Sequence, residues 1–225
     1  MKKFIIYLFV SFMPLFALGQ NLQIHYDLGR EHFTSTLEMF NTDNLGSTFW
    51  FVDFDYNNSG GSKNASLGYW EIARYFAVSK VPNTSLTIQY NDGLTNEFSF
   101  NPVWLGGIQY VITAKGFSLP FDFLLRRELN TKGITFQLTS VWFYTWKDFE
   151  ITGYIDIWNT GPNAYPASNW AFQAEPQFWY NICGNIMIGT EIEISRNFSG
   201  AWTKVRAFKE DKFFVIPTIA LKWVF

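Results

Sequence analysis

Residues 148–159 read DFEITGYIDIWN. Asp148, Glu150, Thr152, Tyr154 and Asp156 alternate with Phe149, Ile151, Gly153, Ile155 and Ile157. A strand sends successive side chains to opposite faces. The segment therefore makes a strand with one acidic, polar face and one apolar face. In a soluble sandwich the apolar face turns onto a core. In a membrane barrel it turns outward to lipid, and the polar face lines the interior. The rest of the chain decides between the two.

The same alternation recurs almost everywhere after the N-terminus. Trp50, Val52, Phe54 and Tyr56 oppose Asp53 and Asp55; Ile186, Ile188, Ile192 and Ile194 oppose Gly189, Glu191, Glu193 and Ser195. Trp170, Phe172, Phe178 and Tyr180 oppose Gln173, Glu175 and Gln177. The pattern predicts strands near 22–29, 33–42, 47–57, 64–78, 84–91, 103–113, 117–125, 132–144, 148–158, 169–181, 185–197 and 212–224. That is twelve, an even number, and the lengths suit tilted strands crossing a bilayer. Residues 203–209 could pair as a further strand; assigning them to the last loop keeps the count even.

The connections give an independent sign. Short ones at 42–46, 79–83, 114–116, 145–147 and 182–184 alternate with longer or more polar ones at 58–63, 92–102, 126–131, 160–168 and 199–211. Outer-membrane barrels have short turns on one side and longer loops on the other. The first connection, Arg30–His32, is short on the long-loop side, a small departure.

Composition agrees. The chain of 225 residues is 48% hydrophobic and 20% aromatic, with 25 Phe, 10 Trp and 11 Tyr. Such an excess of rings fits the two membrane interfaces, where Tyr and Trp place an apolar body against lipid and a polar edge in water. Trp50, Trp104, Trp142, Trp146, Trp158, Trp170 and Trp223 fall near predicted strand ends or in adjoining turns. Met1-Lys2-Lys3, the apolar run from Phe4 to Phe16, and Ala17-Leu18-Gly19 have the form of a secretory signal peptide. Cleavage is expected before Gln20, so 1–19 is the signal and 20–225 the barrel. The mild acidity gives no reason to expect nucleic acid as a partner. The one cysteine, Cys183, has no internal partner and reads as structural.

The fold expected is therefore all-β: an antiparallel up-and-down transmembrane barrel of about twelve strands in the bacterial outer membrane, surrounded by its lipid. The chain closes with FFVIPTIALKWVF, in which Phe213, Val215, Ile219, Leu221, Trp223 and Phe225 share one face. A terminal Phe on an amphipathic last strand resembles the signal read by the barrel assembly machinery of that membrane.

Twelve strands enclose more room than eight and less than sixteen, so a narrow channel is expected. Its inward set is Glu38, Asp53, Asp55, Glu71, Gln109, Gln137, Asp148, Glu150, Tyr154, Asp156, Gln173, Glu175, Gln177, Glu191, Glu193 and Lys222. Among these, Asp53, Asp55, Glu71, Glu150, Tyr154, Asp156, Glu175, Glu191 and Glu193 are the candidate solute path. Carboxylates lining a pore favour cations and polar neutral solutes and oppose anions. Phe40, Phe49, Phe51, Tyr69, Tyr75 and Phe143 should also point inward. Carboxylates beside aromatic faces suit a solute with a flat ring and several hydroxyls.

STFWFVDFDY (47–56), DFEITGYIDIW (148–158), the Trp-rich strand ends and the C-terminal stretch resemble the Tsx-type nucleoside-specific channels of the outer membrane. The resemblance implies a monomeric twelve-stranded barrel that passes nucleosides passively, without a cofactor. This chain looks like a shorter, divergent branch of that family.

Two other classes stand beside the channel. One is an outer-membrane lipid-modifying enzyme with Ser–His chemistry. The chain has two histidines: His25, expected on the inner wall, and His32, expected in the first loop; it has no G-x-S-x-G and no metal-ligand spacing. The other is a plugged structural or adhesion barrel, which should carry more large apolar side chains inward. Arg74 breaks the alternation on the face of Trp70, Ile72 and Phe76. The alternatives are a bulge that turns it inward, toward Glu71, or a place near a membrane interface; the bulge is the preferred expectation.

Overall fold

Strict period-two patterning with β-branched and aromatic residues favours extended chain, and most of the described residues are in strands. The computed structural model describes residues 19–57, 64–114, 117–160, 169–198 and 212–225. Residues 1–18 of the expected signal peptide (1–19) and residues 203–209 lie outside them. The described residues contain strands and no helix: β1 (Gln20–Asp27), β2 (His32–Asp43), β3 (Gly46–Asp55), β4 (Leu67–Ala77), β5 (Thr84–Thr95), β6 (Val103–Ala114), β7 (Phe117–Glu128), β8 (Thr135–Trp146), β9 (Phe149–Asn159), β10 (Trp170–Ala174), β11 (Gln177–Cys183), β12 (Ile186–Arg196) and β13 (Phe214–Val224).

Sequence neighbours pair antiparallel, except that β10 and β11 each pair with β9 and β12 and not with one another, and β13 pairs with both β12 and β1. The sheet therefore closes and leaves no edge strand. Strands β10 and β11 are two halves of one crossing. Gln173 pairs with Asp156 and Gln177 with Thr152, and both halves also pair with β12, so the register runs on through Glu175-Pro176 without a shift. Pro176 has no N–H to donate, which interrupts the ladder but not the wall. The result is a closed twelve-stranded antiparallel barrel, as the alternation predicts. The main boundary differences are at strand ends: β5 and β7 run on to Thr95 and Glu128, and β4 begins at Leu67.

The barrel is inside-out relative to a soluble fold. Phe136 and Val215 on the outer face are 64% and 62% exposed, while Gln23 and His25 on the inner face are 1% and 2% exposed. Among the described residues the buried apolar clusters are small: Val103 with Leu105 and Leu124, and Trp179 with Met187 and Ala220. Exposed Ile, Leu, Val and Phe cover the outside. In water so wide an apolar surface would be costly; in hydrocarbon it is the matching surface.

Aromatic rings gather toward the ends of this outer face. At the short-turn end Trp146 stacks on Phe149 (6.2 Å between centroids), Phe149 meets Tyr180 (4.9 Å) and Trp223 meets Phe225 (4.9 Å). At the long-loop end Tyr26 packs on Phe33, and Tyr90 on Trp104. Trp158 departs from the expected belt: it pairs with Gln137 and Ala171, faces inward, and is buried against Phe198 and under the Arg126 guanidinium. Arg74 also departs from the preferred expectation. The β3–β4 and β4–β5 registers run through it without a bulge, so it stays on the outer face. It lies toward the short-turn end, where its guanidinium bonds both oxygens of Asp43 at 2.8 Å and Thr48 Oγ1 at 2.9 Å. Water and an ion pair at that end make an outward arginine tolerable.

Candidate functional site: the lumen wall

Register fixes which side chains face inward. Thr36, Asp53, Tyr69 and Gly93 lie side by side across β2–β5; Glu38, Phe51, Glu71 and Asn91 lie beside them one step toward the short-turn end. On the far wall Thr139, Asp156 and Gln173 form one row, and Glu150 pairs with Trp179. The nine predicted path residues all fall on the inner side of the wall. Asp148 does not: it sits in the β8–β9 turn, where its carbonyl accepts the Asn181 N–H.

Strands β3, β4, β9 and β12 and the β10–β11 junction bring Asp53, Glu71, Asp156, Glu175 and Glu191 into one electrostatic neighbourhood. Glu71 and Glu191 act on Asp53, Glu71 acts on Asp156, and Glu191 and Asp53 act on Glu175. Hydrogen bonds hold these groups. Asp53 accepts from Thr36 (2.6 Å) and Asp156 from Thr139 (2.5 Å). Glu71 Oε1 accepts from Tyr69 Oη (2.6 Å) and Asn91 Nδ2 (2.9 Å). Glu175 accepts from Gln173, and Glu191 from Gln177.

A row of rings flanks Asp53 and Glu71. Phe49, Phe51, Tyr69 and Phe100 follow one another at 6.1, 6.0 and 6.3 Å between centroids. The last ring comes from the connection between β5 and β6. That segment turns back at Thr95–Phe98, and the Phe100 N–H donates to the Gly93 carbonyl (2.8 Å). A Cβ on Gly93 would lie 2.5 Å from the Phe100 ring, so glycine there is what admits the ring to the wall. Sequence reasoning placed Phe49, Phe51 and Tyr69 inward; it did not find Phe100, whose signal is the glycine opposite.

Toward the short-turn end the wall is drawn together. Lys222 on β13 reaches Glu150 on β9 and lies 4.5 Å over the Trp179 ring. Gln23, His25 and Thr218 pack beside them. His25 Nδ1 bonds Thr218 Oγ1 (3.0 Å) and Nε2 bonds Gln23 Oε1 (2.9 Å), so both ring nitrogens are engaged by the wall. Trp179, 1% exposed, was missed at the sequence level although it shares the parity of Gln177. A second network gathers Tyr75, Gln89 and Gln109 on Asp122, each at 2.8 Å.

At the long-loop end, Arg30 in the β1–β2 turn bonds Asp27 (3.0 Å) and Glu193 (2.5 Å). Burial lowers the pKa of the guanidinium, but the two carboxylates outweigh it and the pKa is raised. His32 belongs to β2 rather than to the loop; it is buried, pairs with Asp27, and lies 3.5 Å from Asp55. Among the described residues no group of His, Cys, Asp and Glu could hold a metal ion.

The chain belongs to the family described as "Domain of unknown function (DUF5020)", whose model matches residues 19–225. No curated protein matches its sequence. Among solved structures it is similar to the NanC porin, with 8% identity and a TM-score of 0.61 over 92% of this chain and 100% of that one. It is also similar to the KdgM porin in complex with disordered oligogalacturonate, with 8% identity and a TM-score of 0.52 over 92% and 98%. At such identity the likeness is one of fold: a porin-like barrel.

Proposed function

We propose that this protein is a bacterial outer-membrane channel through which small polar solutes, nucleosides above all, diffuse passively. One observation carries the reading: the row Phe49–Phe51–Tyr69–Phe100 runs beside Asp53 and Glu71 on the inner face of a closed barrel, whose β9–β12 wall carries Asp156, Glu175 and Glu191. A planar base stacks on the rings, and ribose hydroxyls and base amino groups donate to carboxylates and amides. The resemblance to Tsx-type channels supports the same solute. Oligogalacturonate, the polyanion of the KdgM complex, is a poor guide here, because a carboxylate-rich lumen opposes anions.

The test is single-channel conductance of the refolded protein in a planar bilayer, titrated with adenosine and with a neutral hexose. A small conductance blocked by adenosine and not by the sugar is expected. No conductance from a folded, inserted protein would sink the reading. The packing of Lys222, Glu150, Trp179, Gln23 and His25 favours one second reading, a filled structural barrel. That barrel would stay silent in the same bilayer.

A further inference from the structure

On the outer wall, Ile88, Gly106 and Leu125 lie side by side on β5, β6 and β7. The middle position has no side chain, so the row has a gap at its centre. One step toward the long loops, Trp104 lies between Tyr90 and Arg127 in the same manner. The result is a groove of about 330 Å³ walled by Ile88, Trp104, Leu125 and Ile134, with Arg127 at its loop end. Its floor is the backbone around Gly106.

The cation at the end of the groove is held in place. Arg127 Nη1 donates to the carbonyl oxygens of Glu128 (3.1 Å), Thr131 (2.5 Å) and Gly133 (2.9 Å). The guanidinium thus stands fixed at the level of the Tyr90–Trp104 pair, whose rings are 4.7 Å apart. Such rings mark a headgroup level. An apolar slot running down from a fixed guanidinium complements a molecule with an acyl chain and an anionic head, and phosphate is a headgroup anion that an arginine guanidinium matches.

We propose that this groove binds a phosphorylated glycolipid of the lipopolysaccharide type, with one acyl chain over Gly106 and a phosphate at Arg127. The assignment to the outer leaflet follows from the long-loop end, which faces outward in such barrels; it rests on the outer-membrane reading above. The groove lies on the opposite side of the wall from the solute path, so the two can be tested apart.

The protein refolded in detergent is incubated with bisphosphorylated lipid A, with its dephosphorylated form, and with phosphatidylglycerol, and retained lipid is counted by native mass spectrometry. One copy of bisphosphorylated lipid A per barrel is expected. Arg127→Gln and Gly106→Leu should each weaken its retention about tenfold, the scale of one lost charged hydrogen bond or one blocked slot. Gly106→Leu should fold, since a Cβ there meets only the Thr87 carbonyl oxygen, at 3.8 Å. Ile188→Leu, on another part of the outer wall, should leave retention unchanged. Equal retention of the dephosphorylated form or of phosphatidylglycerol would overturn the proposal, as would full retention by Gly106→Leu. Insertion and conductance without lipid A retention would sink this inference alone; failure to insert into vesicles would sink the membrane reading with it.

Discussion

Lys222→Met removes the cation that ties β13 to β9. Lys222 is 4% exposed, its ammonium bonds Glu150, and it lies over the Trp179 ring. Without it the Glu150 carboxylate is left beside an indole with no counter-charge. Breaking a buried pair in this way costs about 3–5 kcal/mol. The Glu150 side chain keeps 18% of its exposure, so water relieves part of the loss, and the lower end, about 3 kcal/mol, is expected. Lys222→Met with Glu150→Met strands no charge and should recover most of it. Because Glu150→Met alone strands the buried Lys222 ammonium and carries a cost of its own, the coupling energy from the double-mutant cycle should be at least about 2 kcal/mol. The assay is guanidinium unfolding of the protein folded into lipid vesicles, read by tryptophan fluorescence. Conductance of both variants should rise, because the tie narrows the lumen. A single-variant loss under about 1 kcal/mol, the range of exposed pairs, would refute the reasoning. So would a double variant no more stable than the single.

Three further outcomes are expected. Gly153→Ala should destabilise by about 2–4 kcal/mol in the same unfolding assay: Gly153 has φ +146°, and a Cβ would lie 2.5 Å from the Glu175 carbonyl oxygen and 2.9 Å from Pro176 Cα. Phe100→Ala should weaken adenosine block about twofold to tenfold, the worth of one stacking partner, and Gly93→Ala should do the same by displacing the ring; unchanged block would remove Phe100 from the solute path. Asp53→Asn with Asp156→Asn should lower the preference for cations, measured as reversal potential in a salt gradient; an unshifted potential would mean that these carboxylates do not face the permeating ions.

What the sequence made legible was most of what depends on parity, Trp179 being an exception. A side chain two residues from another shares its face, so Asp53 with Asp55, Glu191 with Glu193, and Ile151 with Ile155 could be sorted without knowing any partner strand. Parity also held through Pro176, which broke the ladder and not the face. What escaped was decided by distance across the lumen or along the axis. Trp158 sits at the end of β9, where a ring in a belt and a ring inside the mouth have the same sequence neighbours; its partners Arg126 and Phe198 lie on β7 and beyond β12. Asp122, flanked by Phe121 and Phe123, has the right parity for the wall, but the three donors that converge on it come from β4, β5 and β6. Arg74 was misjudged because depth is not periodic: an outward arginine is costly only far from water, and nothing local says that Asp43 waits at the turn.

The inner wall is not uniform, and its asymmetry bears on how a solute would move. The β6–β7 side is filled by Val103, Leu105 and Leu124, with Asp122 fully engaged by amides and a phenol. The β1–β13 side is filled by Gln23, His25, Thr218 and Lys222, which bond to one another or to β9. Between these sides lie the rings of β3 and β4 and the carboxylates gathered from β3, β4, β9 and β12. Filled flanks narrow the path, and a narrow path brings any solute into contact with rings and carboxylates at once. The proposed selectivity for a planar, hydroxyl-bearing solute then needs no closed binding pocket: stacking would supply the attraction, the carboxylates would supply the orientation, and neither would have to be strong enough to hold the solute in place.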